Sequence, residues 1–154
     1  MAVERTLVFV KPDGVVRGLA SEILSRFERK GFTVVGLKLL QVSKALAEKH
    51  YAIHKGKPFY EGLVRYVQSG PVVAAVLEGE DAVLQGRSMM GATDPRKGAP
   101  GQIRFDYGLE IGRNLIHGSD SVENAKAEIA LWFKPEEVVD WKRSDHAWLY
   151  EKPL

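Results

Sequence analysis

Apolar and polar positions fall in blocks along this chain, and each block carries the period of one kind of element. Thr6 to Val10, "TLVFV", is an unbroken apolar and β-branched run closed by Lys11 and Pro12, which predicts a buried strand. From Leu19 to Lys30, apolar Leu19, Ile23, Leu24 and Phe27 recur at helical spacing, and Gly31 follows as a stop. Phe32 to Val42 and Pro71 to Gly79 read as a second and a third strand. "SKALAEKHYAI", capped by Ser43, and "PFYEGLVRYVQSG" read as two short helices, and "EDAVLQGRSMMG" as a helix ending near Gly91. The segment from Ala92 to Gly112 has no sustained period, and "DPRKGAPG" alone holds four glycines or prolines. A loop of that length within a compact domain is usually functional or disordered. "LIHG" then reads as a short strand, followed by a helix from about Ser121 with Asp120 as N-cap and Glu123 three residues on. Strands and helices in alternation imply an α/β or α+β domain, and the pattern does not choose between a parallel and an antiparallel sheet.

A chain of 154 residues suffices for one domain, residues 1–154, with a sizeable core. The net charge of +2 is too small to mark a dedicated nucleic-acid surface, but suits an anionic small ligand where basic residues converge. With no cysteine, the sequence excludes disulfides, thiol catalysis and thiolate metal sites. The apolar run near the N-terminus is too short for a signal peptide or a membrane span, so the expectation is a cytoplasmic protein with no membrane partner.

The chain has no G-x-x-x-x-G-K-S/T, G-x-G-x-x-G or H-E-x-x-H motif. Its chemistry centres on "GRNLIHGSD". Gly118 leaves room beside the His117 ring, and Ser119 and Asp120 open a helix whose N-terminus favours anions. At about 100° per residue, Glu128 falls on the flank of the stripe formed by Val122, Ala125, Ile129 and Trp132. A carboxylate so close to the core needs a partner, and an imidazole N–H is a natural one. That contact would fix the tautomer of His117 and free its other nitrogen to attack. Lys11, Arg87, Arg104 and Arg113 stand at element ends or in the long loop, where convergence would serve phosphoryl transfer, whose transition state relies on positioned positive charge. Tyr51, Phe59 and Tyr60 offer a stacking ring and a phenol. His50, His54 and His146 lack the glycine and Ser-Asp context of His117 and read as surface histidines.

"NLIHGSD" resembles the N-x-x-H-G-S-D signature of nucleoside diphosphate kinases, and "VKPDGV", "GPVVAAVLEG" and "GATDP…PGQIR" match the same family in the same order. The resemblance runs from about Glu4 to about Glu151. It implies a ferredoxin-like α+β sandwich with a four-stranded antiparallel sheet. The implied activity is transfer of the terminal phosphate of a nucleoside triphosphate, mainly ATP, to a nucleoside diphosphate. The route is ping-pong, through phosphorylated Nδ1 of His117, with broad base specificity. The same resemblance implies that Glu128 orients the ring, that Tyr51 lies beside it, and that Lys11, Arg87, Thr93 and Arg104 contact phosphates. Lys11 and Asn114 would reach the ribose 3′-hydroxyl, and Phe59 would stack on the base opposite Ile111. Mg2+ is the implied cofactor, held by the nucleotide with few direct protein ligands. A homohexamer is the implied assembly, with a homotetramer as the alternative. Asp94 and Phe105 depart from the family pattern, at positions where asparagine and a small residue are common.

Overall fold

Strand β1 (Val3–Val10) alternates its side chains between two cores, which is why its apolar run is unbroken. Leu7 and Phe9 enter one core and Val8 and Val10 the other, all essentially without exposure. A computed structural model of the chain describes residues 3–151. Its sheet has four strands in the order β2-β3-β1-β4, with β2 at Thr33–Leu40, β3 at Val72–Glu80 and β4 at Ile116–Gly118. Every neighbouring pair is antiparallel, which settles the choice that periodicity left open and gives the ferredoxin-like sandwich.

The helices are α1 (Pro12–Val16), α2 (Ala20–Lys30), α3 (Lys44–His50), α4 (Tyr60–Val67), α5 (Ala82–Met90), α6 (Ile103–Tyr107), α7 (Val122–Trp132) and α8 (His146–Leu149). Residues of α3, α4 and α7 join the core that holds Leu7 and Phe9. Residues of α2, α5 and α6 join the opposite core, with Val8 and Val10. Two of the expected helices are capped differently. Leu19 is the N-cap of α2 rather than its first residue. Ser121, not Asp120, caps α7: its hydroxyl accepts from the Asn124 amide, while Asp120 accepts from the Asn124 side chain. Both residues have the short oxygen-bearing side chain a cap needs, so composition did not distinguish them.

The segment from 92 to 112 is not structureless. Asp94 caps a 3-10 turn over Pro95–Lys97, accepting from the Arg96 amide and pairing with its guanidinium. That is what the departure to aspartate does here. Helix α6 follows and buries Ile103 and Arg104, while Phe105 stays partly exposed. The segment is tied down by Arg26, which donates to the Gly101 carbonyl and to Asp106, and by Arg17, which donates to the Tyr107 carbonyl. These ties come from distant parts of the chain, so local periodicity carries no trace of them.

Candidate active site

Three features aim His117. First, β4 pairs with β1 so that Phe9 faces His117, Val8 faces Gly118 and Val10 faces Ile116. Pleating therefore sends His117 to the α7 side and its two neighbours to the other side. Second, Leu115 has φ +74°, and the Ile116 amide bonds the Asn114 carbonyl at 2.8 Å. Such a γ-turn is strained for a branched residue and persists only when its surroundings impose it. They do so here: the Lys11 amide donates to the Leu115 carbonyl at 2.8 Å, and the Leu115 amide donates to Asp13 Oδ2 at 3.2 Å. Tyr66 donates its hydroxyl to the other oxygen of Asp13. Third, Gly118 lies against Met90. A Cβ there would sit 2.6 Å from Met90 Sδ, so the glycine makes way for a core methionine rather than for the His117 ring.

His117 Nε2 and Glu128 Oε1 are 2.7 Å apart, as the helix geometry predicted, and Ser119 donates to the same oxygen at 2.8 Å. A carboxylate acceptor places the ring proton on Nε2 and leaves the lone pair on Nδ1. Burial depresses the pKa of His117 against the opposing pull of Glu128, which keeps the ring neutral and nucleophilic. Burial is the largest influence on Glu128 and would raise it, but the hydrogen bonds from His117 and Ser119 and the charge interactions with His117 and His50 together hold it below the usual range.

His117 opens on a cleft of about 680 Å³ that also contains Lys11, Tyr51, Phe59, Arg87, Thr93, Arg104, Ile111, Asn114 and Glu128. Every residue to which the family resemblance gave a role therefore lines one cleft, whereas Tyr60 does not. Phe59 and Ile111 are half exposed at the rim, and Asn114 and Arg104 are buried at the base. Lys11 Nζ donates to Asn114 Oδ1 at 2.7 Å, and the Asn114 amide donates to the Thr93 carbonyl at 3.0 Å. Burial, together with the nearby Arg104 charge, lowers Lys11 to about 8. Arg104 donates to the carbonyls of Gly91, Asn114 and Ile116, so it also clamps the entry to β4. Burial and Arg87 lower it to about 10, still fully charged at neutral pH. Arg87 donates to the Gly118 carbonyl at 3.1 Å. Burial raises the Tyr51 phenol to about 12, so it remains a donor. Arg113 does not join the other cations. It lies over the Tyr66 ring at 4.3 Å.

The three other histidines are not simple surface residues. His50 and His54 both line the cleft. His50 packs edge-on against His117 at 4.6 Å, and His54 packs on Phe59 at 5.2 Å. His146 lies away from the cleft against Tyr150, with its Nε2 buried and without a hydrogen-bond partner among the described residues. Helical position could have flagged His50: it follows Ala47 by three residues, and Ala47 is fully buried.

A family model described as nucleoside diphosphate kinase matches residues 4–138. A nucleoside diphosphate kinase of Gloeobacter violaceus is 60% identical over 148 residues, covering 96% of this chain and 99% of its own length. Nucleoside diphosphate kinase B of Flaveria bidentis is also 60% identical, with the same coverage of both chains. Among solved structures, a halophilic nucleoside diphosphate kinase from Halobacterium salinarum in complex with CDP superposes with a TM-score of 0.94 at 52% identity. The match covers 97% of this chain and 99% of that one.

Proposed function

The chain belongs to the nucleoside diphosphate kinase family and is a phosphotransferase acting on nucleotides, and from that premise we propose how its cleft works. His117 Nδ1 attacks the terminal phosphorus of a nucleoside triphosphate. The N–P bond forms as the bond to the bridging oxygen breaks, and the nucleoside diphosphate leaves with that electron pair. A second diphosphate then attacks the phosphohistidine through its terminal oxygen, the N–P bond breaks, and the neutral ring returns. Glu128 holds the Nε2 proton throughout and stabilises the positive charge that develops on the ring. The observation that carries this reading is the 2.7 Å contact between His117 Nε2 and Glu128, which leaves Nδ1 as the free nitrogen in a cleft that also holds three cations.

Lys11, Arg87 and Arg104 offset charge on the transferring phosphoryl group, which is where phosphoryl transfer is most open to catalysis. Thr93 and the Tyr51 hydroxyl add polar contacts. Lys11 and Asn114 bind the ribose 3′-hydroxyl, and Phe59 and Ile111 hold the base by its faces. Stacking reads no base edge, so the common nucleosides are all accepted, with ATP the main donor. A divalent cation, Mg2+, would offset charge on the nucleotide phosphates when bound. Glu128 Oε1 is taken by His117 and Ser119, so Asp120 is the other carboxylate lining the cleft that could hold the ion, which fits a metal held mainly by substrate.

We read residues 1–154 as one catalytic domain working in the cytoplasm on the nucleotide pool. Among the described residues no helix is long and apolar enough to cross a membrane. Edge strand β2 exposes Leu37 and Leu39, and Leu109 is 86% exposed on the long segment. Apolar surface of this kind supports a homo-oligomer, for which we propose a hexamer over a tetramer. Mass in solution by light scattering decides that point.

Incubation with ATP labelled on its terminal phosphate tests the whole reading. The protein alone should take up acid-labile, base-stable label and pass it to any common nucleoside diphosphate. Initial rates should give parallel double-reciprocal lines. An unlabelled protein would point instead to a carrier fed by a protein donor. His117→Ala should remove labelling while nucleotide binding stays within about tenfold, because the cations and stacking residues remain.

A further inference from the structure

Trp132, Phe9 and His117 form a layered column. Trp132 lies on Phe9 at 4.5 Å and 22°, and Phe9 lies on His117 at 4.8 Å and 20°. His50 stands along the edge of this column, at 70° to Phe9, 81° to His117 and 90° to Trp132. The Trp132 indole donates to His50 Nδ1 at 3.0 Å. A neutral imidazole has one lone pair and one N–H, so with Nδ1 accepting, the proton sits on Nε2. That N–H has no partner among the described residues and is not sealed from solvent, and His50 lines the same cleft as His117. One ring nitrogen of each histidine and a carboxylate oxygen of Glu128 lie within 4.8 Å of one another.

A His2Glu trio at that spacing resembles a metal site, but the indole opposes it. A metal on His50 Nε2 would require the proton on Nδ1, where the Trp132 N–H already points. The arrangement instead presents a donor. Burial first, then His117, Lys11 and His54 against the opposing charge of Glu128, lower His50 to about 3, so it stays neutral wherever the enzyme works.

We propose that His50 is a neutral hydrogen-bond donor to the phosphoryl group carried on His117, with its tautomer set by Trp132. The proposal rests on the reading of His117 as the phosphate acceptor. Neutrality is the useful property. A cation beside His117 would reduce the basicity of the attacking nitrogen, and an acidic imidazolium would protonate the phosphohistidine and hasten its hydrolysis. A neutral N–H stabilises phosphoryl oxygens without either effect.

Three variants separate this role from packing. His50→Phe keeps a ring at the column edge but removes both nitrogens. His50→Gln keeps an acceptor for the indole and an N–H for the phosphate. Trp132→Phe keeps the column and releases the tautomer. Single-turnover phosphorylation by ATP, nucleotide KM and the phosphorus NMR resonance of the phosphoenzyme are measured on each, with a thermal melt. His50→Phe should slow phosphorylation about tenfold, with KM within about twofold and a displaced resonance, while His50→Gln recovers to within about threefold of wild type. Trp132→Phe should slow phosphorylation about threefold and displace the resonance, because a His50 ring free to carry its proton on Nδ1 no longer always presents it to the phosphate. Should His50→Phe fail to fold, the other two variants decide. Wild-type rate and resonance in His50→Phe would overturn the proposal, as would His50→Gln failing as fully as His50→Phe. If wild-type protein itself takes no label, the reading of His117 has failed instead.

Discussion

Phe9 and His117 face each other across the β1–β4 ladder, and their rings stack at 4.8 Å with 20° between planes. The contact makes the first buried strand of the chain one wall of the nucleophile's seat. Phe9→Leu keeps the apolar bulk but removes the flat surface. An aromatic stack contributes about 0.5–1.5 kcal/mol beyond area burial, so the His117 ring should gain freedom at that cost. Single-turnover labelling should slow about threefold to tenfold, and the melt should fall by a few degrees. An unchanged labelling rate would show that Glu128 orients the ring unaided.

Glu128→Gln tests the other wall. Glutamine keeps the size and still offers a carbonyl to His117 Nε2, so the geometry survives. It lacks the charge that stabilises the ring as Nδ1 attacks. A charge-assisted hydrogen bond exceeds a neutral one by about 1–2 kcal/mol, which corresponds to a fall of roughly fivefold to thirtyfold in phosphorylation rate. Ser119 also donates to Oε1, so the side chain remains anchored and the melt should change little. A wild-type rate would remove Glu128 from the mechanism, and a collapsed melt would make it structural.

Gly118→Ala should cost stability before it costs chemistry. The new Cβ would approach Met90 Sδ at 2.6 Å, and Met90 has no exposure through which to retreat. Overpacking of this kind costs about 1–3 kcal/mol. Met90→Ala in the same chain removes the obstacle but opens a cavity of its own, so the double variant should lose less than the two single losses added together, which a denaturant titration of the single and double variants would show. Equal additive losses would mean that Gly118 serves the backbone and not Met90.

The parts of this site that were legible in the sequence are those set by local geometry. Helical angle placed Glu128 beside His117, and the unbroken run at Thr6 to Val10 announced a strand with core on both faces. The strand order, the turn at Leu115 and the helix inside the long segment were not legible. The strand order depends on which edges pair. The other two are imposed from afar, by Asp13 and Lys11 on the turn and by Arg17 and Arg26 on the segment. His50 was misread because its partners, Trp132 and Phe9, lie far along the chain and on other elements. Arg113 shows the converse: proximity to His117 in sequence put it among the phosphate-facing cations, yet a distant tyrosine takes it.

The alkaline limb of activity should belong to Lys11. Burial, reinforced by Arg104 and opposed by Asp13, lowers its ammonium to about 8. In the free enzyme the charged form is present below that pH and is lost above it. The profile of kcat/KM reports free-enzyme groups, so it should be level near neutrality and decline from about pH 8. Arg104 is lowered only to about 10 and Tyr51 is raised to about 12. The His117 ring is already neutral at these pH values, because its pKa is depressed below the ordinary histidine range. Substrate phosphates titrate on the acid side of neutrality and do not contribute. Lys11→Arg provides the control. A guanidinium keeps its charge across the whole range, though its planar fork cannot reproduce the ammonium's bond to Asn114. The variant should therefore be slower at pH 7 and yet show no decline between pH 8 and 9.5. A decline that persists unchanged in Lys11→Arg would assign the limb to another group and remove Lys11 as the titrating cation of the site.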